Sequence, residues 1–250
     1  MGRDIIDLVG RVNYNIYGNK MTVIRSDEAD HVDVQFENGY IKRHVRKWCF
    51  INGSVKSPYD KRVYDIGFIG EGKYKPTDDY KLYKRWQGML QRCYDKKLHE
   101  KYPTYKGCSC CKEWHNFQNF ADWHNQNYYE VGEEIMCLDK DILVKGNKIY
   151  SPETCIYVPR RINIMFTKTD ALRGNLPIGV TVNKNGKYII TMRINKKFVT
   201  NKKYNTTKEA FESYKSLKES YIKKVAEEYK DKIPEKLYMA LKKYEVEATD

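Results

Sequence analysis

Three groups of residues in this 250-residue chain have the types and spacing to do chemistry. The first is a thiol group. Cys108-x-x-Cys111, with Cys110 between, is half of a tetrahedral zinc site, since two nearby thiolates converge readily on one soft-accepting ion. The other half would come from Cys137, Cys155, His115 or His124, and none of these stands at a second C-x-x-C or H-x-x-H spacing. A reduced thiol cluster in a core is therefore the better reading, with structural Zn²⁺ as the lesser one. The second group is cationic. Between Leu176 and Asn205 stand seven basic residues, Lys184, Lys187, Arg193, Lys196, Lys197, Lys202 and Lys203, and no acidic one. Cations without local acids are free to neutralise phosphates, although the same charge would also serve solubility. The third group is Asp139-Lys140-Asp141, two carboxylates flanking an amine where a strand is expected to end. On its own that triplet reads as an ordinary solvated strand end.

Composition narrows the classes. Lys and Arg total 46 against 33 Asp and Glu, a net charge of +13 that favours encounter with polyanions. With 41% hydrophobic and 14% aromatic residues the chain is expected to bury a core and not to behave as a disordered tail. No apolar run approaches the ~18 residues of a membrane span. Seven Cys, an odd and unevenly spread set, do not form a secreted disulfide framework. Reduced thiols and a cytoplasmic location are expected.

The elements that must position these groups follow from periodicity. Within Leu8–Pro58, alternation over Val9 to Ile16, Met21–Ile24, Val32–Phe36 and Tyr40–Val45 predicts a small twisted sheet or barrel of about five strands, with turns at Gly18-Asn19 and Asn38-Gly39. Gly67-Phe68-Ile69-Gly70-Glu71-Gly72 lacks a surrounding βαβ unit, so it reads as a flexible linker and not a dinucleotide loop. Leu82, Trp86, Met89, Leu90 and Cys93 keep helical spacing over Tyr80–Tyr94, leaving Arg85 and Arg92 on the polar side, where they would reach phosphates. A short helix is expected over Asn116–His124, strands over Ile135–Ile142 and Cys155–Val158, and a helix over Arg160–Thr167 behind Pro159. Further on, Ile178–Val182, Tyr188–Ile194 and Phe198–Asn201 read as three strands, with Asn185-Gly186 as a hairpin turn. Alternation would gather Thr181, Asn183, Thr191, Arg193 and Asn195 on one face, where they could address base edges. Thr206 and Glu209 form a capping box opening a long amphipathic helix, and Pro234 opens a last one.

Taken in order, Trp86–Tyr94 (W-Q-G-M-L-Q-R-C-Y), Glu113-Trp114, Phe117 through Phe120, Leu138-Asp139-Lys140, Tyr150 through Cys155 and the closing Asn163 resemble the phage-encoded HNH-type (His-Me finger) homing endonucleases. The likeness covers about Gly67–Phe166. It implies a strand–turn–strand–helix clamp around one divalent cation, with Asp139 and Asn163 as metal ligands and Mg²⁺ or Mn²⁺ as the metal. Where the family carries a catalytic His after its Asp, this chain has Lys140. The resemblance then leaves Lys140 as base or phosphate holder, with Asp141 or a metal-bound water as the other candidate base. Gly179-Val180, Gly186-Lys187-Tyr188, Arg193 and Thr206 through Ala210 with Tyr214 resemble the ethylene-response-factor type of DNA-binding domain.

The expected architecture is α+β in three parts. These are a small N-terminal β unit (1–66), a ββα-metal nuclease-like core (67–170) and a basic three-stranded sheet plus helix (171–250). The expected function is a metal-dependent endonuclease acting on double-stranded DNA, with catalytic Asp139, Lys140, Asp141 and Asn163. Its DNA contacts would come from Arg85, Arg92, Thr191 and the basic run. A catalytically inactive DNA-binding protein on the same scaffold, acting as a regulator or inhibitor, is the alternative.

Overall fold

A computed structural model describes residues 7–27, 30–167, 174–194, 197–200 and 202–250. In chain order, β1 (Val12–Tyr14), β2 (Lys20–Ser26), β3 (His31–Phe36) and β4 (Ile41–Arg46) lead into α1 (Lys47–Ile51). Next come α2 (Tyr80–Tyr94), α3 (Lys96–Lys101), β5 (Ser109–Cys110) and α4 (Phe117–Asn127). They are followed by β6 (Met136–Asp139), β7 (Ile149–Tyr150), β8 (Ile156–Pro159) and α5 (Arg160–Met165). Short strands β9 (Val180–Val182), β10 (Tyr188–Ile190), β11 (Arg193–Ile194), β12 (Lys197–Phe198) and β13 (Lys203–Tyr204) precede α6 (Thr207–Tyr229) and α7 (Glu235–Lys243). The class is α+β. Two compact units emerge, Met1–Gln126 with Ile149–Ser151, and Asn127–Lys148 with Pro152–Asp250. Among the described residues no helix is long and apolar enough to cross a membrane.

The first unit opens with an antiparallel meander in the order β1-β2-β3-β4. Its inner face buries Met21, Val23, Val32, Val34, Phe36 and Val45. The meander has four strands where about five were expected, because the segment after Arg46 turns helical and drives Phe50 into the same core. The buried Asp60 carboxylate then fastens the following chain to the β1–β2 turn, accepting from Asn15 Nδ2 (2.7 Å), Asn19 Nδ2 (2.8 Å) and Ser57 N (2.7 Å).

The glycine-marked stretch after it is packed, contrary to the linker expectation. A Cβ on Gly67 would stand 2.4 Å from Leu90 Cδ1 and 2.9 Å from the Trp86 ring, so this backbone lies directly on α2. Phe68 N donates to His115 O (2.9 Å) and Gly70 N to Pro58 O (2.9 Å), which ties both sides of the strap. Helix α2 matches its predicted span. Asp79 caps it through Leu82 N, and Trp86 donates from Nε1 to Trp114 O at 2.7 Å. Trp114, Phe117, Phe120 and Trp123 pack around that bond from the segment before α4 and from α4 itself.

In the second unit, β6 and β8 form an antiparallel pair with Asp139 opposite Ile156 and Met136 opposite Pro159. The chain passes from β8 straight into α5, which packs against both strands. The C-terminal sheet has the order β13-β10-β9, and α6 covers its inner face through Ala210 and Tyr214. Thr206 and Glu209 make both bonds of the capping box at the start of α6. Two strand expectations shift. Tyr188–Ile194 breaks after Ile190, where the Thr191 hydroxyl donates to Gly179 O (3.2 Å), and the third strand of the sheet is Lys203–Tyr204, not Phe198–Asn201. Arg193–Ile194 and Lys197–Phe198 instead form a small ladder of their own.

Candidate functional site

Asp139 closes β6, and the backbone of the next three residues fixes its side chain. Its Oδ1 accepts from the N–H groups of Asp141 (2.9 Å) and Ile142 (2.7 Å), an Asx-type turn that reverses the chain at once. Neither Asp139 Oδ2 nor the Asn163 side chain has a hydrogen-bond partner among the described residues. Burial pushes the Asp139 carboxyl up to about 6, and the neighbouring Asp141 charge adds to the rise. Two carboxylates on one tight turn are thus held close enough to repel.

Between them, Lys140 is buried. Its Nζ lies 3.1 Å from Asp141 Oδ2, and its carbonyl accepts from Asn147 Nδ2 at 2.7 Å. An ammonium has three donors and no acceptor, so in this pairing Lys140 offers charge and not a proton-accepting site. Asn163 stands on α5, half-buried, on the helix that packs against β6. The structure therefore brings Asp139, Lys140 and Asp141 together and puts Asn163 on the neighbouring element.

The loop after Asp141 is anchored by Lys145, whose Nζ meets Asp250 Oδ1 (2.8 Å), Glu247 Oε1 (3.4 Å) and the Glu245 carbonyl (2.8 Å). Tyr244 stacks edge-on against Phe166, just after α5, and burial raises its hydroxyl, with Asp250 and Asp141 contributing. The C-terminal segment thus ties the carboxylate turn to the end of α5.

A cavity of about 840 Å³ lies between α5 and the C-terminal sheet, with Arg161, Ile164, Thr191, Arg193 and Lys218 on its walls. Arg161 and Lys218 were not anticipated from sequence. Lys218 stands four residues after the core residue Tyr214 on α6, so helical spacing did carry that signal. Its Nζ donates to Met165 O (2.7 Å), and burial lowers its proton affinity.

The expected DNA contacts divide by environment. Lys184, Lys187, Thr191, Arg193, Lys197, Lys202 and Lys203 are all exposed, and among the described residues none of the six cations has an ion-pair partner. Arg193 lies 4.2 Å over the Phe198 ring, Lys202 lies 5.4 Å over Tyr204, and Lys187 Nζ meets Asn205 Oδ1 at 2.8 Å. Lys196 and Asn195 lie outside the described residues. Of the expected row Thr181, Asn183, Thr191 and Arg193, the structure brings Thr181, Thr191 and Arg193 to one cavity wall. The Asn183 side-chain oxygen is taken by Asn185 N and Lys187 N inside the hairpin turn, and Thr191 sits past the strand break. Arg92 has an engagement that the spacing did not show. It is half-buried, with Nε donating to the Tyr150 hydroxyl at 2.8 Å and its guanidinium over that ring, so it braces α2 against Tyr150. Arg85 is half-buried beside His124, where its charge helps depress the histidine.

Cys108 and Cys110 are buried, and no disulfide joins any of the seven cysteines. Cys110 Sγ contacts Met89 Sδ at 4.0 Å, as a core thiol would. Compared with protein-family models, with curated proteins and with solved structures, the chain matches none.

Proposed function

We propose that this chain is a divalent-metal-dependent endonuclease hydrolysing phosphodiester bonds in double-stranded DNA, of phage or mobile-element origin. The observation that carries the reading is the β6–β8–α5 arrangement with Asp139 and Asp141 paired at the end of its first strand. The donor set fits Mg²⁺ or Mn²⁺, since it consists of hard oxygens, one carboxylate oxygen without a protein partner, and the Asp139 carboxyl is raised by burial and further by the Asp141 charge, a strain that a cation would relieve. Asp139 would hold the metal, with the Asn163 amide oxygen on the adjoining helix. Such a cation supplies Lewis-acid polarisation of the scissile phosphate. Lys140 serves as a phosphate clamp from its place beside Asp141. Asp141, outside the ligand pair, takes the proton of the attacking water. The exposed cations of the C-terminal module deliver the duplex.

One observation favours a second reading, a DNA-binding protein that does not cut. All five histidines (31, 44, 99, 115 and 124) belong to the first unit, so the β6–β8–α5 unit has no imidazole to act as base. Lys140, which replaces it, is already engaged with Asp141.

Plasmid and source-genome DNA incubated with protein and Mg²⁺ or Mn²⁺ separate the two. Under the first reading the wild type cuts, Asp139→Asn abolishes cutting while DNA affinity stays within about twofold, and Lys140→Ala lowers the rate by roughly 10²-fold, as for loss of one preorganised electrostatic contact. A wild type that binds DNA and cuts none with any divalent cation establishes the second reading.

A further inference from the structure

The N-terminal meander carries a group of side chains that the DNA chemistry does not use. Asp27 follows β2, His31 opens β3 and His44 lies on β4. The two imidazoles stack with centroids 3.8 Å apart and only 6° between their planes. One ring nitrogen from each and a carboxylate oxygen of Asp27 all lie within 4.8 Å of one another. Among the described residues no other three His, Cys, Asp or Glu side chains converge in this way.

The local fold departs from a regular ladder to achieve it. Val32 pairs with Val45 but Val34 pairs with Lys42, so the β3–β4 register slips by a residue at this point. His44 takes φ 54°, a left-handed conformation unusual for a residue with a bulky side chain. Asp33 holds it there, with Oδ1 accepting from His44 N at 2.9 Å, and that bond keeps the Asp33 carboxyl below its usual range, helped by Arg25 and Arg43. Asp27 is equally fixed. It accepts from His31 N (3.1 Å) through Oδ1, donates from its own N to His31 O (3.2 Å), and its carbonyl takes the Lys47 ammonium at 3.1 Å.

We infer that Asp27, His31 and His44 form a binding site for a late first-row divalent cation, Zn²⁺ above all. Two imidazole nitrogens and one carboxylate oxygen suit Zn²⁺, Ni²⁺ or Cu²⁺, whereas Mg²⁺ prefers an all-oxygen shell. This separates the site from the Asp139–Asp141 turn in chemistry as well as in sequence. Bonds of about 2.0–2.1 Å to a tetrahedral ion place ligand atoms roughly 3.3 Å apart. The stacked rings hold their in-plane lone pairs nearly parallel, so binding requires the His44 ring to tilt out of the stack and the spacing to close, which its exposed position permits, with His31 and Asp27 half-buried. Three protein ligands leave the fourth position to water, the pattern of an exchangeable site and not of a closed structural one.

The test uses the full chain, stripped with chelator, titrated with Zn²⁺ by calorimetry and with Co²⁺ by visible absorption. Seven cysteines outside any disulfide compete for such ions, and Co²⁺ distinguishes them because thiolate ligation adds an intense near-ultraviolet charge-transfer band. The expected result is one equivalent bound, with d–d bands and no thiolate band. His31→Gln and His44→Asn should each weaken binding by more than the roughly 10–100-fold typical of losing an outer partner. Asn tolerates positive φ, so His44→Asn keeps the backbone, which an unchanged metal-free melting curve verifies; should it not fold, His31→Gln decides alone. Absence of saturable binding, a thiolate band, or unchanged affinity in the folded variants overturns the assignment.

Discussion

Both the N-terminal and the C-terminal sheet carry cations, but they are differently partnered. On the meander, Arg25 and Arg43 converge on the covered carboxylate of Asp33, at 3.9 and 3.3 Å. On the C-terminal sheet and its adjoining ladder, Lys184, Lys187, Arg193, Lys197, Lys202 and Lys203 are exposed with no acid nearby in sequence and no ion pair among the described residues. The first set is occupied in holding a bulged strand. The second has aromatic rings and an amide as neighbours, which orient a cation without neutralising it. A net charge of +13 does not distinguish these situations: the first sets two arginines against one carboxylate, and the second offers six cations with none, the fuller positive potential for a phosphate backbone to neutralise.

The strongest way to break this comparison is to delete the unpartnered set. Replacing Lys184, Lys187, Lys202 and Lys203 together by Ala should lower duplex affinity at least ~10²-fold at low salt and flatten the log–log salt dependence by up to about 3.6, at roughly 0.9 per phosphate contact. Fluorescence anisotropy at several salt concentrations reads both. An unchanged slope would place the binding surface elsewhere.

The same sheet can be tested through its backing. Gly179 has φ +73°, and a Cβ there would fall 2.2 Å from the Tyr214 ring on α6. Gly179→Ala should cost about 2–5 kcal/mol, combining the left-handed penalty for an L side chain with overpacking. Chemical denaturation monitored by hydrogen exchange should show the loss in β9, β10 and α6. Weakened DNA binding in a variant of full stability would mean that Gly179 acts at the interface and not in packing.

How far these features are legible in the sequence depends on the distance of their causes. Helix α2 and the capping box of α6 are written in residues a few positions apart, so spacing alone located them. The role of Gly67 lies in a missing Cβ against Trp86 and Leu90, about twenty positions away, and composition could only suggest a linker. Arg92 looked solvent-facing on a helical wheel because its partner, Tyr150, comes 58 residues later. At Thr191, where the regular strand ends, both the backbone N–H and the hydroxyl reach Gly179 O, twelve positions away. At the candidate site, the Asp139–Asp141 proximity follows from adjacency, whereas the engagement of Lys140 with Asp141 does not. The stacked histidines left a usable trace: pairing outward from the Asn38-Gly39 turn brings residues 31 and 44 to the same end of one hairpin.

The two units also carry titratable groups of opposite sign, His124 buried and Asp139 half-buried. Burial and the Arg85 charge depress His124 from 6.5 to about 4, so its contribution to stability is present above pH 6.5 and is lost as pH falls through about 4. With a tenfold change in proton affinity worth about 1.4 kcal/mol, that loss is on the order of 3 kcal/mol. Asp139, raised from 3.8 to about 6, runs the other way. Its contribution is present below pH 3.8 and is lost as pH rises through about 6. Hydrogen exchange across this range should therefore show α4 loosening on acidification and the β6–β8 pair loosening on neutralisation. Added Mg²⁺ should protect β6–β8 above pH 6 and hardly below pH 4. Equal Mg²⁺ protection at both ends would remove Asp139 from the metal site.

The smallest expected effect sharpens the comparison most. Arg43 is 72% exposed at its side chain, and its bond to Asp33 competes with solvent. Arg43→Ala should lower Tm by no more than about 2 °C, because exposed ion pairs contribute little. The backbone bond from His44 N remains to hold Asp33 in place. Under the partnered-versus-unpartnered distinction, the same variant leaves the DNA salt slope unchanged, although it removes one full charge just as a single Lys203→Ala does. The pair of variants therefore compares equal charges in different surroundings. If Arg43→Ala flattens the slope by about 0.9, as a lost phosphate contact would, then engagement with Asp33 does not withhold an arginine from DNA. The meander would then have to be counted as part of the interface.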